Sequence, residues 1–107
     1  MTYADQVLDA LGDPTRRAIF LRLRAGARSV GDLAEGLNVS RPAVSQHLAV
    51  LKAAHLATSR PEGTRRLYAV DQRGLRALHE WVDGFWAQKL SSFKEAAERE
   101  AKKGRRS

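Results

Sequence analysis

The chain lacks cysteine altogether, has only three prolines, and holds no apolar run approaching the length of a membrane span. Without cysteine there can be no disulfide, no thiol redox chemistry and no thiolate metal ligand, which fits a reducing compartment. No Ser/His/Asp order, paired carboxylates or glycine-rich phosphate loop emerges, so neither an enzyme nor a cofactor is expected. Met1 to Asp5 has no charged-then-apolar signal pattern, and the expectation is a soluble cytoplasmic protein with no membrane partner. Acidic residues are also scarce. Twelve of them face 19 lysines and arginines, giving a formal net charge of +7 that suggests an anionic partner, nucleic acid or a membrane surface, or else plain solubility, and its distribution decides.

The excess is unevenly spread. Residues 1–37 hold five basic and five acidic side chains, residues 38–70 hold five basic against Glu62 alone, and residues 71–107 hold nine against six. The middle stretch carries the least compensated charge. Much of the last excess sits in Lys102, Lys103, Arg105 and Arg106. A chain of 107 residues suits one domain with thin stability margins.

Tyr3, Val7, Leu8 and Leu11 stand at helical spacing, and Gly12 closes that helix. Asp13-Pro14 opens a second, with Asp as cap and Pro where a missing N–H costs nothing. Its buried side is expected at Ala18, Ile19, Leu21 and Leu23, with Phe20 near the edge. Gly26 stops it. Ser29 caps a third helix, and Asp32 resembles the far half of a capping box. After Gly36-Leu37-Asn38-Val39, where Asn38 tolerates a left-handed backbone, Ser40 caps a fourth.

In that fourth helix Val44, His47, Leu48 and Leu51 share one face. The opposite face, with Pro42, Ser45, Gln46, Ala49 and Ala53, is small and polar. Two helices joined by so short a turn form a helix-turn-helix candidate. Residues 57–60 and 65–70 then read as strands around a Pro61-Glu62-Gly63-Thr64 turn, forming a basic hairpin or wing. Asp71 caps a long last helix whose apolar residues recur in alternating steps of three and four from Leu75 to Phe93. The expected fold is mainly α with a small β-hairpin: a dimeric winged helix-turn-helix of order ααααββα. It spans residues 1–98, with a basic, disordered tail over 99–107.

Reading DNA needs an element thin enough for the major groove, short polar groups aimed at base edges, and flanking cations for phosphates. Ser45 and Gln46 meet the second demand, since Gln pairs with adenine and Ser bonds several base edges. Arg41, at the helix start, can reach guanine or phosphate. Ala43 and Ala49 keep the face low. Arg60, Arg65 and Arg66 on the wing suit phosphates or a minor groove, Lys52 is a further phosphate candidate, and Ser40 opens a helix N-terminus toward phosphate.

Three segments carry a resemblance: Ala10 to Ile19, Ser29 to Ala34, and Val39 to Leu48, continued by Val50-Leu51-Lys52, Leu56 and Arg65-Arg66-Leu67-Tyr68. Residues 9–70 resemble the ArsR family of bacterial winged-helix repressors, in its cysteine-free, autorepressor-like branch. The resemblance implies a homodimer that represses transcription by reading double-stranded DNA, a palindromic operator, through the Ser45-Gln46 helix. It implies dimerisation through the first and last helices, hence through Val7, Leu8, Leu78, Val82, Phe85, Trp86 and Leu90. An inducer or protein effector is a further expected partner. Where many members sense metal through third-helix cysteines, this chain has none. The last helix offers only His79, one turn from Asp83 and near Glu80. A metal-responsive repressor using His79 and Asp83, or a protein-interaction winged helix without DNA binding, are the alternatives, and no metal site is expected.

Overall fold

A computed structural model describes residues 2–105. The elements run α1 (Tyr3–Gly12), α2 (Pro14–Leu23), β1 (Arg28–Ser29), α3 (Val30–Glu35), α4 (Arg41–Ala53), β2 (Ala57–Glu62), β3 (Arg65–Val70) and α5 (Gln72–Arg105). The strands form one antiparallel sheet in the order β1-β3-β2.

Local chemistry sets most of the helix starts. Asp13 ends α1 and caps α2, its carboxylate accepting from the Arg16 amide at 2.8 Å, with Pro14 directly behind it. That amide bond holds the Asp13 carboxyl below its ordinary pKa. Its stabilisation is therefore present above the unfolded-state value and is lost as pH falls through the folded one. Ser29 and Ser40 cap α3 and α4 by accepting from the amides of Asp32 and Ala43. Asp71 caps α5 through the Arg73 amide at 3.0 Å. The reciprocal capping box forms at α1, between Thr2 and Asp5, a pair that the sequence reading passes over.

Val7, Ala10, Ile19, Phe20, Leu23, Leu33, Val44, Leu48, Leu51, Ala54, Leu56 and Ala57 make a single core. Two expectations are corrected within it. Phe20 is buried and Leu21 is exposed, because a residue two steps from Ile19 lies about 200° round the helix whereas Phe20 and Leu23 stay beside it. Val7 is fully buried in its own protomer's core, on the α1 face it shares with Ala10, and is not available to a partner. Leu8, its neighbour, is half-buried.

The hairpin is longer than its sequence suggests. Pro61 and Glu62 pair with Arg66 and Arg65 as β2 residues, leaving Gly63-Thr64 as the whole turn. Pro61 is tolerated because β2 is an edge strand. A positive φ at Gly63, with none at Thr64, is the type II′ pattern in which glycine leads. β1, which the sequence reading lacks, joins β3 through Arg28 and Ser29 just before α3. Asn38 takes its expected left-handed backbone in the turn between α3 and α4.

α5 docks by its start and leaves the body by its end. The Asp71 amide donates to the Leu56 carbonyl at 2.9 Å and the Gly74 amide to the His55 carbonyl at 2.7 Å. His55 itself ends α4 with a left-handed backbone, its Nδ1 3.0 Å from the Tyr3 hydroxyl, which donates to the Ala54 carbonyl. The first turns of α5 pack on α1. From Asp83 onward every described side chain is exposed, and the helix draws the molecule out to 76 Å. Residues 99–105 are helical where the sequence reading expects an irregular tail. Arg99 to Lys103 are all strong helix formers, which continue a helix already nucleated and carry it past Gly104, a poor one. Arg106 and Ser107 lie outside the described residues. None of the described helices is long and apolar enough to cross a membrane.

Candidate nucleic-acid interface

α4 has two unlike sides. Val44, Leu48 and Leu51 are fully buried, where α4 packs on α2, α3 and β2, and His47 beside them is half-buried. Arg41, Pro42, Ser45, Gln46 and Ala49 are exposed on the other side. Since buried leucines fix the rotation of the helix, the low polar ridge is held outward. None of these five is a bulky apolar group, and the exposed Val50 stands at the rim on the α1 side, so a groove of nucleic-acid width can admit the ridge. Ser40, at its head, is exposed as well and spends its hydroxyl on the Ala43 amide.

The expected cations surround this ridge, but not as independent points. Arg41 does not simply project from the helix start. It folds back over α3, where a β-carbon at Gly31 would stand 3.1 Å from its guanidinium. There it shares a hollow of about 440 Å³ with Arg65, Arg66 and Tyr68 of β3, and with Asp32 and Glu35 of α3. Strand alternation puts Arg60, Glu62, Arg65 and Leu67 on one face of the wing and Ser59, Pro61, Arg66 and Tyr68 on the other. On that second face the Ser59 hydroxyl accepts from Lys52 Nζ at 3.0 Å and from an Arg66 guanidinium nitrogen at 3.2 Å. Ser59 is a residue the sequence reading missed. Its partners are seven positions away on either side, and only the folded hairpin brings them to it.

The ion pairs among the described residues lie elsewhere. Arg73 meets Asp71 at 2.8 Å, which holds that carboxyl below its ordinary pKa and raises the guanidinium's. His79 Nε2 also lies 3.1 Å from an Asp83 carboxylate oxygen on an exposed turn of α5, a contact that is an ion pair only with the imidazole protonated. The two side chains considered as metal ligands thus do come together. No group of three or more His, Cys, Asp or Glu suited to a metal is found among the described residues.

The residues assigned to a dimer seam sort by depth. Leu78 and Val82 are half-buried and line an apolar hollow with Leu75 and Val70, rimmed by Arg76 and His79. Further along α5, Phe85, Trp86 and Leu90 are exposed, joined by Trp81 and by Phe93 at 75% exposure. Trp81 stacks on Phe85, and Phe85 meets Trp86 edge-on. These rings pack on one another along α5 and are not covered by the rest of the protomer.

Comparison with known proteins gives a consistent result. Residues 11–60 match a helix-turn-helix domain family, a span from the end of α1 to the middle of β2. The chain is 54% identical over 89 residues to the HTH-type transcriptional regulator Rv2034 of Mycobacterium tuberculosis, covering 83% of each chain. It is 35% identical over 81 residues to the transcriptional repressor SdpR of Bacillus subtilis, covering 76% of this chain and 90% of that one. Among solved structures, an ArsR-like transcriptional regulator from Rhodococcus sp. RHA1 superposes with a TM-score of 0.72 at 31% identity, covering 89% of this chain and 92% of its own. A homodimeric winged helix-turn-helix DNA-binding domain from Mycobacterium bovis, described as a possible ArsR-family regulator, gives 0.65 at 27% identity, covering 84% and 83%.

Proposed function

Because the chain belongs to the ArsR family of winged helix-turn-helix transcriptional regulators, we propose that it is a homodimeric DNA-binding repressor that reads a palindromic operator in the cytoplasm. One observation carries this reading. The Ser45-Gln46 ridge stands exposed on a helix whose opposite side is locked into the core, with exposed cations at its head, Arg41, and toward the wing, Lys52, Arg60, Arg65 and Arg66.

α4 enters the major groove, and Gln46 and Ser45 bond base edges there. Arg60 and Arg65 on one face of the wing, and Lys52 and Arg66 toward α4, hold phosphates or reach a neighbouring minor groove. Arg41 contributes from the hollow beside α3. The dimer forms through the exposed apolar side of α5, from Leu78 and Val82 to Phe85, Trp86 and Leu90, with Leu8 at its edge. A twofold pair of reading helices then selects two half-sites of opposite orientation. The work is done by binding alone, with no catalytic step.

The test is selection of bound fragments from genomic DNA, with Gln46→Ala run beside the unaltered chain. A palindromic site is expected, and Gln46→Ala should weaken binding to it by about 1–3 kcal/mol while blurring one base position in each half-site. Equal weakening on random DNA would remove Gln46 from the base readers.

A further inference from the structure

Lys52 and Arg66 come from different elements, the last turn of α4 and the start of β3, yet both donate to a single oxygen, the Ser59 hydroxyl. Their nitrogens therefore lie no more than about 6 Å apart, a separation that one phosphate can bridge by accepting charge-assisted bonds of about 2.7–2.9 Å on two of its oxygens. Neither cation takes part in an ion pair among the described residues, and both side chains are exposed. Lysine carries three donors and arginine five, so each can keep its bond to Ser59 and still offer others outward. Ser59 is half-buried between them, and a hydroxyl oxygen has two acceptor positions, both taken up by this pair.

We propose that Lys52 and Arg66 grip one and the same DNA backbone phosphate, and that Ser59 is the positioning residue that holds the two cations at that spacing. The shared seat fastens the end of the reading helix and the root of the wing to one point on the duplex. It rests on the reading of this surface as a DNA interface, and it adds to that reading a count: two cations, one phosphate.

The count is measurable. Binding of the full chain to a random-sequence duplex is followed against salt, since each phosphate neutralised contributes a slope of about 0.9 in log affinity against log salt. With a shared seat, Lys52→Ala and Arg66→Ala each lower the slope by much less than that per protomer, because the remaining cation still neutralises the phosphate. The double variant loses about 0.9 per protomer. Lys52→Gln and Arg66→Gln, which remove the charge but keep part of each stem, should repeat the pattern. Ser59→Ala should weaken binding several-fold with the slope unchanged, and Ser59→Thr should restore it. Full slope losses that add in the double variant would overturn the shared seat. Unaltered affinity in Ser59→Ala would overturn the part given to Ser59. An unaltered chain that binds no duplex would instead overturn the DNA reading itself, which keeps the two failures apart.

Discussion

Gly74 sits where the last helix meets the end of the reading helix. A β-carbon there would stand 2.5 Å from the His55 carbonyl oxygen and 2.8 Å from a Leu56 methyl. The nearer atom is backbone, fixed by the Gly74 amide bond to it and by the left-handed turn at His55, so it has nowhere to go. Alanine is the better helix former by about 1 kcal/mol, and on an open helix the exchange would stabilise. Here Gly74→Ala should cost about 1–3 kcal/mol net, as overpacked contacts do, measured by urea or thermal unfolding. A stabilised variant would mean that α5 is not docked through this point. Gly74 and Ser59 were invisible in the sequence for one reason: what makes each matter is a partner supplied by another element. Ser40, Ser45 and Gln46 were legible because cap, ridge and periodicity are all written within one helix.

At the scale of elements the same division holds. Caps at Asp13, Ser29, Ser40 and Asp71 were readable because a capping side chain bonds an amide two or three residues on. β1 was not, since two residues have no periodicity, and only β3 makes Arg28 and Ser29 a strand. Leu21 is exposed because the angle round the helix, and not apolar character alone, decides which side is buried. The wing's length depended on its edge position, which alone lets Pro61 stay in a strand. That length has a consequence. The type II′ turn at Gly63-Thr64 places Arg65 at the first paired position, opposite Glu62 and at the edge of the hollow that it shares with Arg41. Arg65 lies on the face away from Ser59, so its phosphate is its own. Arg65→Ala should therefore lower the salt slope by about one unit per protomer, unlike either cation of the shared seat. Titration of nonspecific binding against salt checks this, and an unchanged slope would take the wing tip off the DNA.

For the whole molecule the decisive quantity is uncovered apolar surface. A body of roughly 26 by 24 Å carries a helix that stretches it to 76 Å, and along that helix Trp86 is 57% and Leu90 64% exposed. Single exposed apolar residues need no explanation, but a row of aromatic and leucine side chains on successive turns marks an interaction surface. The proposed occupant is a second copy, because twofold pairing both covers this row and supplies the two reading helices that a palindrome requires, about 34–36 Å apart. Phe85→Asp separates these roles from folding. Phe85 is exposed within the protomer, so the substitution leaves the core of α1 to α4 untouched. In the dimer it would bury an unpaired carboxylate, which strongly destabilises association. Sedimentation should therefore find Phe85→Asp monomeric at concentrations where the unaltered chain is dimeric. Operator binding should fall with it, because a single half-site contact gives up the second helix's share of the binding energy. A monomer that held the operator as tightly as the dimer would leave the twofold arrangement without a role in recognition.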